Sequence, residues 1–325
     1  MPSTAPPILY VALLGQWRHT TVTSGFSVAM RAAERVYAFV REQNNPALLI
    51  GGCVAMAVNL YFLGDLEAGQ QYARRGVQIW RSRAVQFAIE EVDVPVVSCL
   101  CYDDMCQWHL EDIVSCREIL AEAISLAKEL NDMHAFAVAL SWAALVAQFE
   151  HTPAEVDRFA SELIELCTRH NFVHFLAQGG SRRGWARSAS GNTVEGIQWI
   201  EQGIRDTQVS GSVAPLVGQL ILKSEALYLA DRTAEALETI NEAEAVAQSV
   251  EQRVTDSTIH RLRGVFFTNL GAGETRIEAS FCAAIEIARG QKSVSLRKRA
   301  EGTYAEYRRQ KANASGGRGF RLPLC

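Results

Sequence analysis

The chain has 325 residues, 48% of them hydrophobic and 8% aromatic, enough to bury a sizeable core and, in a globular protein, to form two domains. Its 8 prolines and its frequent alanine, leucine, glutamate and glutamine favour helix over strand. The opening apolar stretch PILYVALLG has no basic residue before it and is interrupted by Gln16, Trp17 and Arg18. It therefore predicts neither a signal peptide nor a membrane span, and we expect a cytoplasmic protein without a membrane partner.

The net charge of −4 is distributed unevenly. Residues 289–325 contain ten Lys/Arg and two Glu, a net charge of +8, whereas residues 1–288 carry −12. A basic end on an acidic body predicts docking onto that body or onto another polyanion. Tyr304 and Tyr307 lie among the basic residues, a pattern also found where helices touch nucleic acid, but the acidic body makes that partner the less favoured one.

Most of the eight cysteines lie inside apolar helical patterns, which is typical of reduced core thiols rather than of a secreted disulfide framework. They are Cys53, Cys99, Cys101, Cys106, Cys116, Cys167, Cys282 and Cys325.

Turn signals recur along the chain with a period of about forty residues. Successive spacings between them are 47, 41, 39, 40 and 40 residues. The signals are Gly64-Asp65, Glu111-Asp112, Thr152-Pro153, Gly191-Asn192, Asp231-Arg232 and Gly271 to Gly273. Even spacing of this kind is the signature of a repeat architecture.

An amphipathic stretch of about fifteen residues flanks each turn on both sides, so the repeat unit is an antiparallel helical hairpin. A hairpin cannot bury its apolar face alone, so about seven of them in series predict an all-α, right-handed superhelical solenoid that forms a single domain over residues 1–311. The predicted hairpins are 7–43, 46–80, 94–130, 132–170, 172–207, 212–248 and 254–290, followed by a capping helix at 293–311 and a basic flexible tail at 312–325.

Small residues return at fixed positions of each hairpin. Glycine costs a helix interior about 1 kcal/mol relative to alanine, so the glycines of GWARSASGNTVEGIQWIEQGI (184–204) need a packing reason. Offsets of four and three residues place the small positions on one helix face, where they let two helices approach closely. The structural repeat positions are Gly69, Gly76, Ala123, Gly184, Gly196, Gly203, Ala236, Ala243, Gly264 and Ala284.

This pattern resembles the tetratricopeptide repeat, with a unit longer than the usual thirty-four residues. The stretches PALLIGGCVAMAVNLYFLGDLEAGQQYARRGVQIW, SLAKELNDMHAFAVALSWAALVAQF, GWARSASGNTVEGIQWIEQGI and IHRLRGVFFTNLGAGETRIEASFCAAIEIARGQKSVSLRKRA resemble the repeat domain that follows an adenylate cyclase or winged-helix domain and a P-loop ATPase in large bacterial signalling proteins. The resemblance implies a regulatory module with an ATPase or cyclase module as partner.

Neither catalytic module of that family is recognisable here. RGQKS (289–293) has the Lys and Ser of a phosphate-binding loop but lacks the upstream glycine, so phosphates would have no cradle. No Ser, Cys or Thr nucleophile is tied to a His and an acid by spacing. We therefore predict a chain without catalytic activity and without a cofactor.

Two stretches have some features of metal sites. CLCYDDMCQWHLEDIVSC (99–116) contains four cysteines and His109, but it has no C-x-x-C, and Cys99 and Cys106 share one helical stripe, which favours core thiols. HNFVH places His170 and His174 four residues apart, but the repeat register puts a break near Asn171 between them. The sequence predicts no metal site.

The groove is the remaining candidate for function. The first helices of successive hairpins should line a concave surface that binds a peptide or protein, or alternatively a small ligand, as in the sensor domain of a transcriptional regulator. Arg182 and Arg183 in QGGSRRGW are suited to a carboxylate or phosphate, although close packing explains the adjacent glycines. The predicted groove residues are Trp108, Ser141, Gln148, Gln178, Ser181, Arg182, Trp185, Glu225, Tyr228, Arg261 and Asn269.

Overall fold

The computed structural model describes residues 5–82, 94–110, 113–313 and 322–324, and over these ranges all regular secondary structure is α-helix. The predicted all-α solenoid of stacked hairpins is confirmed. The helices are α1 (Ala5–Thr23), α2 (Phe26–Glu42), α3 (Pro46–Leu63), α4 (Leu66–Ser82), α5 (Pro95–Leu110), α6 (Ile113–Glu129), α7 (Met133–Phe149), α8 (Pro153–His170), α9 (Val173–Ala189), α10 (Thr193–Val209), α11 (Leu216–Leu229), α12 (Thr233–Val250), α13 (Asp256–Asn269), α14 (Glu274–Gly290) and α15 (Val294–Asn313).

Local signals in the sequence set the helix ends. Asn45 accepts hydrogen bonds from the backbone N–H groups of Ala47 and Leu48, and Pro46 occupies the first turn of α3, where its missing N–H costs nothing. Gly64 ends α3 with a φ of 85°, a left-handed conformation that glycine adopts without strain. The predicted turn at Glu111-Asp112 lies outside the described residues.

Odd-numbered and even-numbered helices have different environments. The even-numbered helices form the outer layer and bury one stripe of small and apolar residues, such as Ala73 and Val77 of α4. The odd-numbered helices form the inner layer, and α5 is buried on almost every side. The apolar helix α3 is long enough to cross a membrane, but 67% of its 18-residue span is buried inside the fold, so packing accounts for its composition.

The seam between α9 and α10 depends on absent side chains. A Cβ added to Gly184 would lie 2.5 Å from the carbonyl oxygen of Gly196, and a Cβ added to Gly203 would lie 2.6 Å from that of Ala177. Real Cβ atoms do not approach backbone this closely, so the two helices touch backbone to backbone at these points.

The solenoid turns far enough for its first hairpins to meet its last ones. The backbone N–H of Val213 donates to the carbonyl of Val22 at 2.9 Å, and that of Arg253 donates to Phe62 at 2.8 Å. The Oγ of Ser27 donates to the carboxylate of Glu251. These contacts close one superhelical turn around a central channel.

The basic end of the chain packs on the acidic body. The ammonium of Lys292 lies 2.5 Å from the carboxylate of Glu67, and Lys311 pairs with Glu274. Residues 312 and 313 belong to α15, and 314–321 and 325 lie outside the described residues. Residues 322–324, expected to form part of a flexible tail, are instead packed against the inner layer.

Candidate functional site

The central channel contains two adjoining cavities whose walls come mainly from the inner layer and partly from the loops between helices. Cavity A has a volume of about 150 Å³ and cavity B of about 510 Å³. They share Phe62, Gln178, Arg182 and Pro215, so these residues form the partition between them. Along α3, α5, α7 and α9, residues nearer the amino end of each helix line cavity B and residues nearer the carboxyl end line cavity A.

Cavity A carries more positive than negative charge. Arg182, Arg261 and Arg299 line it, and Glu225 is the acidic residue among its described walls. The indole N–H of Trp185 donates to the Glu225 carboxylate at 2.6 Å. Burial raises the pKa of Glu225, whereas the charges of Arg261 and Arg299 and the Trp185 hydrogen bond lower it. An acidic protein therefore contains a basic interior.

Two histidines in the wall of cavity A are neutral at physiological pH. Burial lowers the pKa of His109 to about 3 and that of His151 to about 4, and neighbouring arginines act in the same direction. The Nδ1 of His109 lies 2.9 Å from the Oγ of Ser293, a pair that sequence spacing did not suggest because 184 residues separate the two. With so low a pKa, His109 is a poor general base at neutral pH, and the pair serves to join α5 to the start of α15.

Aromatic side chains form much of cavity B. The rings of Tyr102 and Trp142 meet edge to face with centroids 4.8 Å apart, and His134 makes similar contacts with Phe172 and Phe175, both at 5.3 Å. Burial lowers the pKa of His174 to about 4. Arg18 and Arg182 are its cations, and its described lining contains no Asp or Glu.

A short segment of the chain itself lies on the inner layer beside cavity A. We call residues 322–324 the Leu-Pro-Leu segment. Leu322 and Leu324 are 1% and 8% exposed. The hydroxyl of Tyr228 donates to the carbonyl of Leu322 at 2.8 Å, and Arg261 donates to the carbonyl of Leu324 at 2.9 Å. Arg261 lines cavity A but not cavity B, and Tyr228 lies beyond Glu225 towards the carboxyl end of α11, so the segment adjoins cavity A at the end away from cavity B.

The structure brings most of the predicted groove residues to the channel. Six line cavity A: Gln148, Gln178, Ser181, Arg182, Glu225 and Arg261. Ser141 lines cavity B with Gln178 and Arg182. Trp185 and Tyr228 line neither cavity but hold residues beside cavity A: Trp185 bonds Glu225 and Tyr228 bonds the Leu-Pro-Leu segment.

Two predicted groove residues lie elsewhere. Trp108 is buried against Phe149, with the guanidinium of Arg299 5.5 Å from its ring centroid. Asn269 is exposed at the end of α13, where it accepts a hydrogen bond from Thr233 at 2.6 Å.

The structure also shows where the candidate ligands for a metal or an anion lie. Cys99, Cys101, Cys106 and Cys116 are buried, and over the described parts of the chain no three His, Cys, Asp or Glu side chains converge on one point. His170 ends α8 and His174 lies in α9, with Asn171 between them at a φ of 57°. Arg183 lies 3.5 Å from the Asp157 carboxylate, outside both cavities.

Sequence reasoning missed several channel residues. For four residues, the position in or beside the channel is evident only from the fold: Phe62, Trp142, Arg299 and Leu322. The first three sit on inner helices in apolar or basic surroundings, so hydrophobic periodicity alone gives them no distinguishing signal.

Comparison with known proteins places the fold but names no family. No protein-family model matches the chain. An uncharacterized protein of Rhizobium meliloti (strain 1021) is 22% identical over 187 residues, which are 58% of this chain and 18% of that protein. The chain therefore matches less than a fifth of the length of this curated relative.

Several solved structures share the architecture. A Rap protein complexed with competence and sporulation factor is 9% identical, with a TM-score of 0.64 over 93% of this chain and 88% of that one. NprR in complex with its cognate peptide NprX is 10% identical, with a TM-score of 0.60 over 94% and 88%. The Rap conjugation gene regulator of plasmid pLS20 with the Phr* peptide is 9% identical, with a TM-score of 0.56 over 97% and 99%. At such identities the likeness shows the fold: a tetratricopeptide-like helical solenoid.

Proposed function

We propose that this chain is a non-catalytic, peptide-binding regulatory module, and that an extended apolar peptide binds on the inner layer beside cavity A. The observation that carries the proposal is the Leu-Pro-Leu segment. Its two leucines are buried, and groove side chains hold it by its backbone carbonyls. Recognition through main-chain groups with pockets for alternate side chains is a general way to bind extended peptides.

Two further observations support the proposal. The three solved structures that share the fold are complexes of those proteins with a factor or a peptide. In the present chain the superhelical turn is closed by contacts between distant hairpins, so a ligand in the channel touches both ends of the solenoid. Small changes per repeat add up along such a stack, which gives the ligand a means of altering the outer surface.

Competition between the internal segment and an added peptide tests this proposal. In the full chain, the double variant Leu322→Asp and Leu324→Asp should release the Leu-Pro-Leu segment, because each aspartate would lose its hydration on burial. A fluorescent peptide with the sequence of residues 318–324 should then bind the double variant at least tenfold more tightly than the unaltered chain, measured by fluorescence anisotropy. The unaltered chain binds weakly because its own segment competes at high effective concentration.

The controls separate specific binding from general exposure. Val209→Asp likewise replaces an aliphatic side chain with aspartate, at a position that is 88% exposed, and it should bind the peptide no better than the unaltered chain. Adding Tyr228→Phe and Arg261→Met to the double variant should weaken binding roughly tenfold, since two hydrogen bonds are lost. Failure of the folded double variant to bind the peptide would refute the proposal.

A second, wider role concerns the protein in which the module works. We propose that the chain supplies the repeat sensor of a bacterial signalling assembly with an ATPase or adenylate cyclase module. The observation in favour is that the matched region is 18% of the Rhizobium protein, which therefore has long segments beyond it. Reading frames for a P-loop ATPase or cyclase next to this one would support that role. A winged-helix frame alone would instead favour the sensor of a transcriptional regulator.

A further inference from the structure

Cavity B is distinct from the proposed peptide site. It lies beyond the partition formed by Phe62, Gln178, Arg182 and Pro215, on the side away from the Leu-Pro-Leu segment. Its volume of about 510 Å³ lies within the range of pockets that hold small molecules. A ligand can therefore fill cavity B while a peptide occupies the inner layer beside cavity A.

Arg182 in the partition is poorly satisfied by the protein. Its Nε is buried without a hydrogen-bond partner, and its Nη1 makes two long contacts of 3.4 Å, to Ser141 Oγ and Gln178 Oε1. Among the residues described, no carboxylate lies within salt-bridge distance of its guanidinium. Burial lowers its pKa to about 10, so it stays charged at neutral pH.

Arg182 is half-buried and its Nε is shielded from solvent, and a cation in such a place without an ion partner is costly and is stabilised when an anion binds beside it. The guanidinium fork suits a carboxylate, which accepts two parallel hydrogen bonds from it. Since the described lining of cavity B holds no Asp or Glu, no acidic wall residue would repel such a ligand. The positive charge of Arg182 thus selects an anionic ligand, and the planar guanidinium favours a planar anionic group.

The remaining walls select an apolar body. Trp142, Tyr102, Phe172 and Phe175 present ring faces and edges, with His134 between the last two. Burial keeps the pKa of His174, also in the wall, near 4, so that ring is neutral. Flat hydrocarbon or aromatic groups pack well against such a surface.

We propose that cavity B binds a small organic monocarboxylate with an aromatic or flat apolar body, and that the carboxylate pairs with Arg182 while the body packs among the rings.

A matched pair of ligands tests the charge and the body separately. By calorimetry with the full chain, 1-naphthaleneacetate should bind at least tenfold more tightly than 1-naphthaleneacetamide, which has the same ring system without the charge. Arg182→Gln should weaken binding of the acid at least tenfold and leave binding of the amide nearly unchanged. Arg182→Lys, which keeps a charge but loses the fork, should retain part of the preference for the acid.

Arg183→Gln is the matched control, because Arg183 is the neighbouring residue and pairs with Asp157 outside the cavity. It should bind the acid like the unaltered chain. Equal affinity for acid and amide, no binding of the acid at millimolar concentration, or an equal loss in both arginine variants would overturn the proposal. The Leu322→Asp and Leu324→Asp variant should still bind the acid, so this site and the peptide site can fail independently.

Discussion

Hairpins α5–α6 and α9–α10 fill the same positions of the repeat in opposite ways. Asp104 precedes Gly184 by 80 residues and Cys116 precedes Gly196 by 80, which is two repeats in each case. In α9–α10 the two glycines let the backbones touch. In α5–α6 the Cys116 thiol donates to the Asp104 carbonyl at 3.5 Å, and the Asp104 carboxylate is buried with no hydrogen-bond partner among the described residues.

The contrast shows that the side chain accepted at one repeat position can be limited either by the volume available or by the cost of burying a charge. At Gly184 any added atom meets backbone that cannot move aside, whereas at Asp104 the side chain fits and its ionisation is what the site resists. Arg182, two residues before Gly184, faces the channel and is constrained by neither the seam nor an ion partner. Three substitutions distinguish these situations.

Gly184→Ala should have the largest effect. Its Cβ would approach the Gly196 carbonyl to 2.5 Å and the Ile200 side chain to 2.8 Å, so α9 and α10 must separate. We expect the free energy of unfolding to fall by about 3 kcal/mol in urea titrations, the upper part of the range for overpacking. The better helix propensity of alanine recovers only about 1 kcal/mol.

Gly302→Ala provides the matched control, because it makes the same change in a helix where the new Cβ meets nothing within 4 Å. It should leave the free energy of unfolding unchanged or raise it by up to about 1 kcal/mol. Similar behaviour of the two variants would mean that the α9–α10 seam can open at little cost, and the distinction between volume and charge would be lost.

Asp104→Asn should have an intermediate effect that depends on pH. Burial raises the pKa of Asp104 to about 8, with the carboxylates of Asp103 and Glu150 adding to the shift. The folded state therefore keeps a proton that the unfolded chain releases near pH 4. The stability associated with that proton is fully present below pH 4 and is lost as the pH rises towards 8.

The amide cannot ionise, so the variant does not lose this stability as the pH rises. Between pH 5 and pH 7 the difference in the free energy of unfolding should therefore shift in favour of the variant by on the order of 2 kcal/mol. Urea titrations at both values, and at pH 4 as the internal reference, measure this difference. A difference that stays constant with pH would indicate that Asp104 is ionised in the fold.

Arg182→Met should have the smallest effect on stability. Replacing a buried charge that has no ion partner with an apolar side chain of similar length is often neutral or stabilising, and we expect a change within about 1 kcal/mol. Thermal and urea unfolding measure it. A loss of several kcal/mol would make Arg182 a structural residue of the partition and would weaken the case for an anion in cavity B.

Helix type, repeat length and the small seam positions could be predicted because their signals are local. Turn residues such as Gly64 and Gly191, and small residues spaced by four and three, act within a single hairpin. The inner position of Arg182 and Glu225 followed from the same register. The register could not separate a wall residue from one just behind it, and so Trp108 was placed in the groove although it packs against Phe149 and Arg299.

The sequence by itself determined that this protein is a stack of helical hairpins, since periodicity and turn chemistry require only neighbouring residues. Tertiary structure decided the rest: the closure of the turn, the division of the channel into two cavities and the seating of the Leu-Pro-Leu segment. Those features join groups far apart in the chain, such as His109 and Ser293. Their proximity depends on the summed rotation of every repeat between them, which no local pattern encodes.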